Sequence, residues 1–450
     1  MLMALTLRMV VGTKMTIPNS MLYLCQDSFK NNKQMRQSNR YVLSAFVILL
    51  IAGFTSSLLA CTTAVISGKY TKDGRPILYK HRDTWAVNNV VRYVDAEPYS
   101  FMGLVNSSDT NSKSVWIGQN ESGFAIMNSA SYNLNYGDTT KLTGGEGRLM
   151  RFALQHCKSV ADFEHILDTL SRPTRLEANY GVIDAEGNAC YYELGNNEYT
   201  KFDANDPSVA PYGYIIRTNF SFMGEMGKSA SGYIRYETAN DIFHEAIFAK
   251  KMDAVYLLQH TSKGLKHSLT NEDLLVDLGD KPEDTPTYHH FRDFIPRTGT
   301  SSAVAIEGVL KGESPMATTF YGIIGFPLTS VIVPMWLGAE DNLPRVVSYD
   351  ETIKDSPICH AALDFKEDCL PLFISREKYY INVNALVNSD NTGIMQVLKP
   401  VEKEILKKSQ STFEALINSD FDKAVLLDYY GWIDETLKSY YQEELDYELF

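Results

Sequence analysis

Residues 61–68 read Cys-Thr-Thr-Ala-Val-Ile-Ser-Gly, and the fold prediction for the whole chain starts from them. The β-branched residues that follow Cys61 predict a β-strand. The turn signal Lys-Asp-Gly-Arg-Pro at 72–76 comes next, and the chain then returns as a second strand that runs toward Arg82 and Asp83. The predicted hairpin brings these two side chains back to the end of the first strand where Cys61 lies.

The segment before Cys61 has the three-part layout of a secretory signal. A basic stretch begins at Met35, an apolar run extends from Val42 to Phe54, and small residues precede the cysteine. The apolar run is shorter than the roughly 20 residues that span a bilayer comfortably. We therefore expect residues 1–34 to be an upstream extension without a structural role and residues 35–60 to be a signal peptide. No stable membrane insertion is expected after its removal; a retained anchor is the alternative.

Cleavage before Cys61 has two possible forms with opposite consequences. Leu58-Leu59-Ala60-Cys61 resembles the lipobox of bacterial lipoproteins, in which the cysteine sulfur is lipidated and cannot attack a substrate. Cleavage by an ordinary signal peptidase, or by the protein itself, leaves both the thiol and the α-amine free. The first route predicts a cell-surface lipoprotein, and the second predicts a secreted or periplasmic protein.

Charge and composition exclude several classes of function. The formal charge is −13, and without the six basic residues and one acidic residue of the first 60 positions the remainder has 36 basic and 54 acidic residues. Such a surface repels phosphates, so we expect no nucleic-acid partner. The nine histidines show no ligand spacing, and we expect no metal and no cofactor. Four cysteines beyond Cys61 do not form a disulfide scaffold, although the spacing leaves a pair between Cys359 and Cys369 open.

Strand-like and helix-like segments are grouped along the chain instead of alternating strictly, which favours an α+β layered fold. We expect the main domain to cover residues 61–400 and a C-terminal helical segment to cover residues 401–450. Within the domain, Ser159 is predicted as the N-cap of a helix, with Asp162 three residues later.

Several motifs together resemble the amino end of cysteine N-terminal-nucleophile hydrolases, the four-layer αββα enzymes that include penicillin V acylase, bile salt hydrolase and the acyl-CoA:6-aminopenicillanate acyltransferase group. The resemblance begins with Cys-Thr-Thr and the Asp-Gly turn. The later landmarks follow in family order: Arg82-Asp83, Asn120-Glu121-Ser122-Gly123, Thr218-Asn219 and the Ser-x-x-x-Arg element that ends at Arg235.

The resemblance implies a role for each of these residues. Cys61 would be the nucleophile, with its own α-amine as the base that gives the thiolate. Asp83 would hold the ammonium form, and Arg82 and Arg235 would add positive potential. Asn219 and Asn128 would donate hydrogen bonds to the tetrahedral oxyanion. Each residue also has an ordinary structural interpretation, as a turn carboxylate, a solvated arginine, a glycosylation site or the end of a strand.

One position departs from the family pattern. In the bile salt hydrolase branch an arginine lies three positions before the aspartate, and here that position is Lys80. From the alternation of side chains along a strand, we expect only one of Lys80 and Arg82 to face the thiol together with Asp83. The same alternation predicts that His81 shares a face with Asp83.

The leading hypothesis is a secreted cysteine amidohydrolase or acyltransferase that cleaves a linear N-acyl amide through a thioester on Cys61. Its partner would be a small-molecule N-acyl amide, and the oligomeric state is left open. A dipeptidase of the same fold is a second hypothesis. A lipid-anchored surface binding protein without catalysis is a third, from a different class.

Overall fold

The computed structural model describes residues 61–225, 231–372 and 379–450. The predicted extension at 1–34 and the predicted signal peptide at 35–60 lie outside the described residues. The described part of the chain forms one compact unit. None of its helices has both the length and the apolar character needed to cross a membrane.

The described residues form seventeen β-strands. In chain order they are β1 Thr62–Ile66, β2 Ile77–Asp83, β3 Asn89–Val94, β4 Phe101–Asn106, β5 Ile117–Asn120, β6 Ala125–Ala130, β7 Ala178–Ile183, β8 Ala189–Leu194, β9 Tyr199–Asp203, β10 Tyr214–Arg217, β11 Lys266–His267, β12 Glu272–Asp273, β13 Tyr288–His290, β14 Thr300–Glu307, β15 Thr319–Ile324, β16 Val333–Met335 and β17 Tyr380–Asn382.

The same residues form nine α-helices, four residues or more in length. They are α1 Glu146–His156, α2 Val160–Thr169, α3 Tyr233–Phe248, α4 Ala254–Leu257, α5 Leu274–Asp277, α6 Pro357–Cys369, α7 Val383–Leu386, α8 Ile394–Asn418 and α9 Lys423–Leu445.

Most strands belong to two antiparallel sheets that pack face to face. The first sheet has the order β10-β1-β2-β14-β15-β16, and the second is a seven-stranded meander from β3 to β9. Val65 and Leu78 of the first sheet share one buried core with Met127 and Tyr191 of the second. The sheets approach closely at β1, because a Cβ atom added to Gly181 would lie 2.6 Å from the Val65 side chain.

Helices cover the outer faces of both sheets. On the first sheet, Ile66 and Tyr79 pack against Phe243 of α3. On the second, the outward-facing side chains pack against α1 and α2 around Phe163. The order of layers is therefore helix, sheet, sheet, helix, and the predicted α+β four-layer fold is confirmed.

The strand register places the amino end of β1 beside the carboxyl end of β2. Thr62 pairs with His81 and Thr63 with Lys80. Continued by one residue, this antiparallel register sets Cys61 opposite Arg82. On its other side β1 pairs with β10, where Thr63 lies opposite Arg217. Three strand ends thus meet around Cys61.

Several elements differ from the sequence prediction. The capping box of Ser159 and Asp162 on α2 is present as expected. The predicted motif that begins at Asn120 starts inside strand β5, because Asn120 pairs within the strand and also accepts hydrogen bonds from the turn that follows. The segment 279–291 has a polar, loop-like composition, but it contributes β13, which pairs with β17.

The boundary predicted between residues 400 and 401 falls inside helix α8, which contains Pro400. Glu402 of α8 ties this helix to the sheet domain. Its side chain forms a buried ion pair with Lys263 and accepts hydrogen bonds from Gln259 Nε2 at 3.0 Å and the Ile332 backbone N–H at 3.1 Å. The C-terminal helices are thus part of the main unit rather than an appendage.

We expect Glu402→Gln to lower the free energy of unfolding by about 3 kcal/mol, since it leaves the Lys263 ammonium buried without an anionic partner. Urea unfolding measures the change. Glu351→Gln is the control, because Glu351 and Lys354 form an ion pair exposed to solvent, and it should leave stability nearly unchanged. A Glu402→Gln variant as stable as this control would contradict the structural role.

Candidate active site

Cys61 is the first described residue and is 9% exposed. It directly precedes β1 and has the same side-chain parity as Thr63 and Val65. Val65 packs into the core between the sheets, and the Thr63 hydroxyl lies 2.5 Å from the Tyr191 hydroxyl of the second sheet. Strand parity therefore directs the Cys61 thiol into the space between the two sheets.

Lys80 and Arg82 lie on the same side of β2 as the thiol. Lys80 Nζ donates to the backbone oxygen of Asn128 and to its Oδ1, the latter at 2.8 Å. Arg82 donates to Asn89 and, at 2.7 Å, to Asn106, both on the second sheet. The expectation that only one of the two cations faces the thiol is wrong, because residues two apart on a strand share a face.

Asp83 has the opposite parity and points away from the second sheet. Its carboxylate accepts a hydrogen bond from Thr300 Oγ1 at 2.6 Å and from Arg297 Nε at 2.7 Å. His81 Nε2 lies 3.7 Å from the same carboxylate, so the predicted shared face of His81 and Asp83 is confirmed. Since the continued register sets Arg82 opposite Cys61, Asp83 lies one residue further along β2, toward the amino-terminal side of Cys61.

Arg235 and Asn219 meet at the backbone of Cys61. Arg235 donates to the Cys61 carbonyl oxygen at 2.8 Å, to Thr62 Oγ1 at 3.0 Å and to Asn219 Oδ1 at 3.1 Å. Gly232, with φ +85°, begins the turn into α3, and a Cβ atom there would lie 2.1 Å from the Arg235 guanidinium. The glycine therefore gives the arginine the space to reach β1.

Asn219 has its amide oriented by two contacts. Its oxygen accepts from Arg235, and its Nδ2 donates to the Ala130 carbonyl oxygen at 2.9 Å. One N–H of the amide nitrogen is engaged by Ala130, and the second is the hydrogen that a donor to an oxyanion would use. Asn128 instead contacts Lys80 through its oxygen, and its donor role stays a prediction.

A buried polar network holds the loop that follows Asn219. Glu193 of β8 accepts from the backbone N–H groups of Phe222 and Met223 at 2.8 and 2.9 Å and from Arg217 Nε at 2.6 Å. Asn133 accepts from the Ser221 backbone N–H at 2.8 Å. The loop is thus fixed from the second sheet.

The sequence analysis did not identify Arg297, Thr300 or Tyr132 as site residues. Arg297 and Thr300 contact Asp83 across more than 200 residues of chain, and a single sequence carries no signal of such a contact. Tyr132 lies in the electrostatic neighbourhood of Cys61 and Arg235; burial mainly, and then the nearby Cys61, raise its pKa.

Residues 71–263 match the acyl-coenzyme A:6-aminopenicillanic acid acyl-transferase family. The predicted similarity to that family is confirmed. The matched segment begins ten residues after Cys61 and includes Asp83, Asn219 and Arg235.

Solved structures of amide-cleaving enzymes are remotely similar to this chain. Conjugated bile acid hydrolase from Clostridium perfringens is 12% identical, with a TM-score of 0.38 over 62% of this chain and 93% of that one. Penicillin V acylase from Agrobacterium tumefaciens is 11% identical, with a TM-score of 0.32 over 62% and 86%. The Caenorhabditis elegans ortholog of N-acylethanolamine-hydrolyzing acid amidase is 14% identical, with a TM-score of 0.30 over 41% and 79%. No curated protein matches the chain.

The electrostatic field at Cys61 is positive. Lys80, Arg82 and Arg235 are buried near it, and Arg297 lies beside Asp83. Burial lowers the pKa of Lys80 to about 8, partly offset by the nearby Cys61. Burial also lowers the pKa of His81 to about 4, so His81 is neutral near pH 7.

Among the described residues, no group of three or more His, Cys, Asp or Glu side chains could hold a metal ion. The five cysteines of the described segments are unpaired. Cys359 and Cys369 lie ten residues apart on helix α6, about 15 Å at the helical rise of 1.5 Å per residue. A disulfide needs Cα atoms within about 7 Å, so these two cannot pair.

Proposed function

We propose that the chain, once residues 1–60 are removed, is a cysteine N-terminal-nucleophile amidohydrolase or acyltransferase that cleaves linear N-acyl amides. One observation carries the proposal: the β1–β2 register, continued by one residue, sets Cys61 opposite Arg82 and so brings Asp83, at the end of β2, next to the end of β1 that cleavage would expose. Cleavage before Cys61 would turn its backbone nitrogen into an α-amine near the Asp83 carboxylate. The acyltransferase family match supports the reaction class.

The proposed reaction begins when the α-amine of Cys61 accepts the thiol proton. The thiolate attacks the amide carbonyl carbon, a C–S bond forms, and the oxyanion accepts a hydrogen bond from Asn219, a contribution of about 3 kcal/mol. Collapse of the intermediate breaks the C–N bond, and the leaving amine takes the proton from the ammonium group. Water then attacks the thioester, which releases the carboxylic acid and restores the thiol; an amine acceptor in place of water gives acyl transfer.

Each polar contact serves one step of this scheme. Asp83 stabilises the ammonium form of the terminal residue. Arg235 fixes the Cys61 carbonyl oxygen and the Asn219 amide, so that the nucleophile and the oxyanion donor keep their relative positions. Lys80 and Arg82 supply positive potential to the thiolate.

A substrate panel tests this function. The processed protein is incubated with N-acyl amino acids, bile-salt conjugates, penicillin-type amides and dipeptides, and the released amines are measured by mass spectrometry. We expect release from at least one N-acyl amide. Turnover of dipeptides alone would support the dipeptidase, and no turnover of any compound would contradict the proposal.

The proposal includes export from the cytoplasm, to the periplasm or the medium. Cell fractionation tests it separately from the chemistry. Recovery of the processed chain in the membrane fraction, with a diacylglycerol on Cys61, would support the lipoprotein hypothesis instead.

The lowered pKa of Lys80 predicts how kcat/KM changes on the alkaline side of its pH profile. Because its pKa is lowered to about 8, its ammonium is charged below that pH and loses its charge as the pH rises through 8. We therefore expect kcat/KM to fall above pH 8. Lys80→Arg keeps the charge and should move this limb upward by about one unit or more, whereas the exposed control Lys354→Arg should not. An unchanged limb in Lys80→Arg would show that another group controls it.

A further inference from the structure

The turn before β14 contacts Asp83 through a β-bulge. The register between β14 and β2 pairs Ser302 with Arg82 and Thr300 with Asp83, so one extra residue, Ser301, is inserted in β14. Without the bulge Ser301 would lie opposite Asp83. Bulges often redirect a side chain next to a functional site. Here the bulge sets the Thr300 hydroxyl opposite the carboxylate.

The Thr300 hydroxyl has three partners and is fully buried. It donates to Asp83 Oδ1 at 2.6 Å, and it accepts from the Arg297 backbone N–H at 2.9 Å. His81 Nε2 lies 3.1 Å away. Because the hydroxyl hydrogen points to Asp83, His81 must be the donor in this contact, which assigns its hydrogen to Nε2. The hydroxyl therefore has one orientation.

The turn itself is anchored from helix α6. Lys366 Nζ donates to the carbonyl oxygens of Thr298 and Thr300 at 2.7 and 2.9 Å. The Thr84 backbone N–H donates to the Gly299 carbonyl oxygen at 2.8 Å, which ties the turn to the end of β2. Because the turn is anchored in this way, the Thr300 side chain can hold the Asp83 carboxylate in place.

We propose that Thr300 is a positioning residue that holds the Asp83 carboxylate in one rotamer, against the α-amine of Cys61. The inference rests on the proposed function, since it gives Asp83 its partner. The hydrogen bond from the Thr300 hydroxyl to Asp83 Oδ1 restricts the carboxylate to one orientation. Arg297 binds the second oxygen of the Asp83 carboxylate, Oδ2. Without the Thr300 hydroxyl, this contact would restrict the rotamer of Asp83 less.

The test compares Thr300→Val with Thr300→Ser in the full chain after natural processing. Thr300→Val keeps the shape and removes the hydroxyl. We expect kcat to fall about 10- to 100-fold, as for other hydrogen bonds to charged groups, with KM nearly unchanged. The acid limb of the pH profile should move to higher pH by about half a unit or more, and Thr300→Ser should recover most of the activity.

Thr319→Val is the matched control. Thr319 is buried in the same sheet, and its hydroxyl contacts Trp336 Nε1 at 2.8 Å away from Asp83. It should lose stability but keep kcat and the pH profile. Wild-type kcat and acid limb in Thr300→Val would overturn the inference and leave the proposed function standing. The inference would also be overturned if Thr300→Val loses activity together with a lower Tm but with an unshifted acid limb, and Thr300→Ser does not restore that activity.

A second readout does not need a substrate. The rate at which iodoacetamide alkylates Cys61 is followed against pH in the wild type and in Thr300→Val. If the wild type hydrolyses no amide but its alkylation profile shifts in the variant, the inference stands and the proposed function fails. If the wild type hydrolyses no amide and its alkylation profile is unchanged in Thr300→Val, both are overturned.

Discussion

Cys61→Ala in the processed protein is expected to lower kcat/KM by about 10⁴-fold or more, the scale found when a covalent nucleophile is removed. The reason is that no other described thiol reaches this site. Cys157, Cys190 and Cys369 are buried elsewhere in the fold. Cys359 is fully buried and accepts a hydrogen bond from the Asn89 backbone N–H at 3.4 Å, and burial raises the pKa of its thiol well above the ordinary value. Burial raises the pKa of Cys190 to about 12, so that thiol stays protonated and unreactive.

Cys61→Ser should also be nearly inactive, because a serine hydroxyl at neutral pH is a far weaker nucleophile than a thiolate. Both variants should keep the wild-type circular dichroism spectrum and Tm. Cys190→Ala is the matched control: the residue is buried on β8, and its loss should leave kcat/KM within about threefold of wild type. Wild-type turnover by Cys61→Ala would rule out the thioester mechanism.

Asp83→Asn is expected to have the next largest effect, a fall in kcat of about 100-fold or more. The amide has nearly the same shape, but it cannot balance an ammonium group, and it removes the ion pair between residue 83 and the Arg297 guanidinium. The Thr300 hydroxyl can still form a hydrogen bond to the amide, so the variant should lose little stability. The fall in kcat should therefore be larger than the loss of folded protein could explain.

The control for this variant is Asp184→Asn. Asp184 is also a buried carboxylate, and it accepts hydrogen bonds from the Val160 backbone N–H and from Asn188 at the end of β7. Its replacement should reduce the Tm and leave kcat unchanged. If Asp83→Asn behaves in the same way as Asp184→Asn, then Asp83 has only a structural role.

The sequence was sufficient for features that depend on nearby residues. The β1–β2 hairpin, the position of Asp83 at its end and the cap at Ser159 each follow from a turn or capping pattern within about 20 residues. Strand β4 has a weak signal in the sequence, because Gly103 and Asn106 interrupt its β-strand pattern. Strand β9 was missed because it is polar and half-buried.

The parts of the site that could not be predicted depend on distant contacts. Arg297 and Thr300 reach Asp83 only because β14 enters the first sheet beside β2 and carries a bulge at that point. Lys80 and Arg82 are two residues apart, so the alternation of side chains along a strand already predicts that they share a face. The expectation that only one of them faces the thiol applied that rule incorrectly. The partners of Lys80 on β6 required the packing of the two sheets.

The most direct test of the account is the intact mass and amino-terminal sequence of the protein isolated from cells that express the full chain. The account predicts a chain that begins at Cys61, with a free α-amine that labels with an amine reagent and one thiol there that labels with iodoacetamide. A chain that begins at another residue, or a Cys61 whose amine or sulfur is acylated or lipidated, would contradict it.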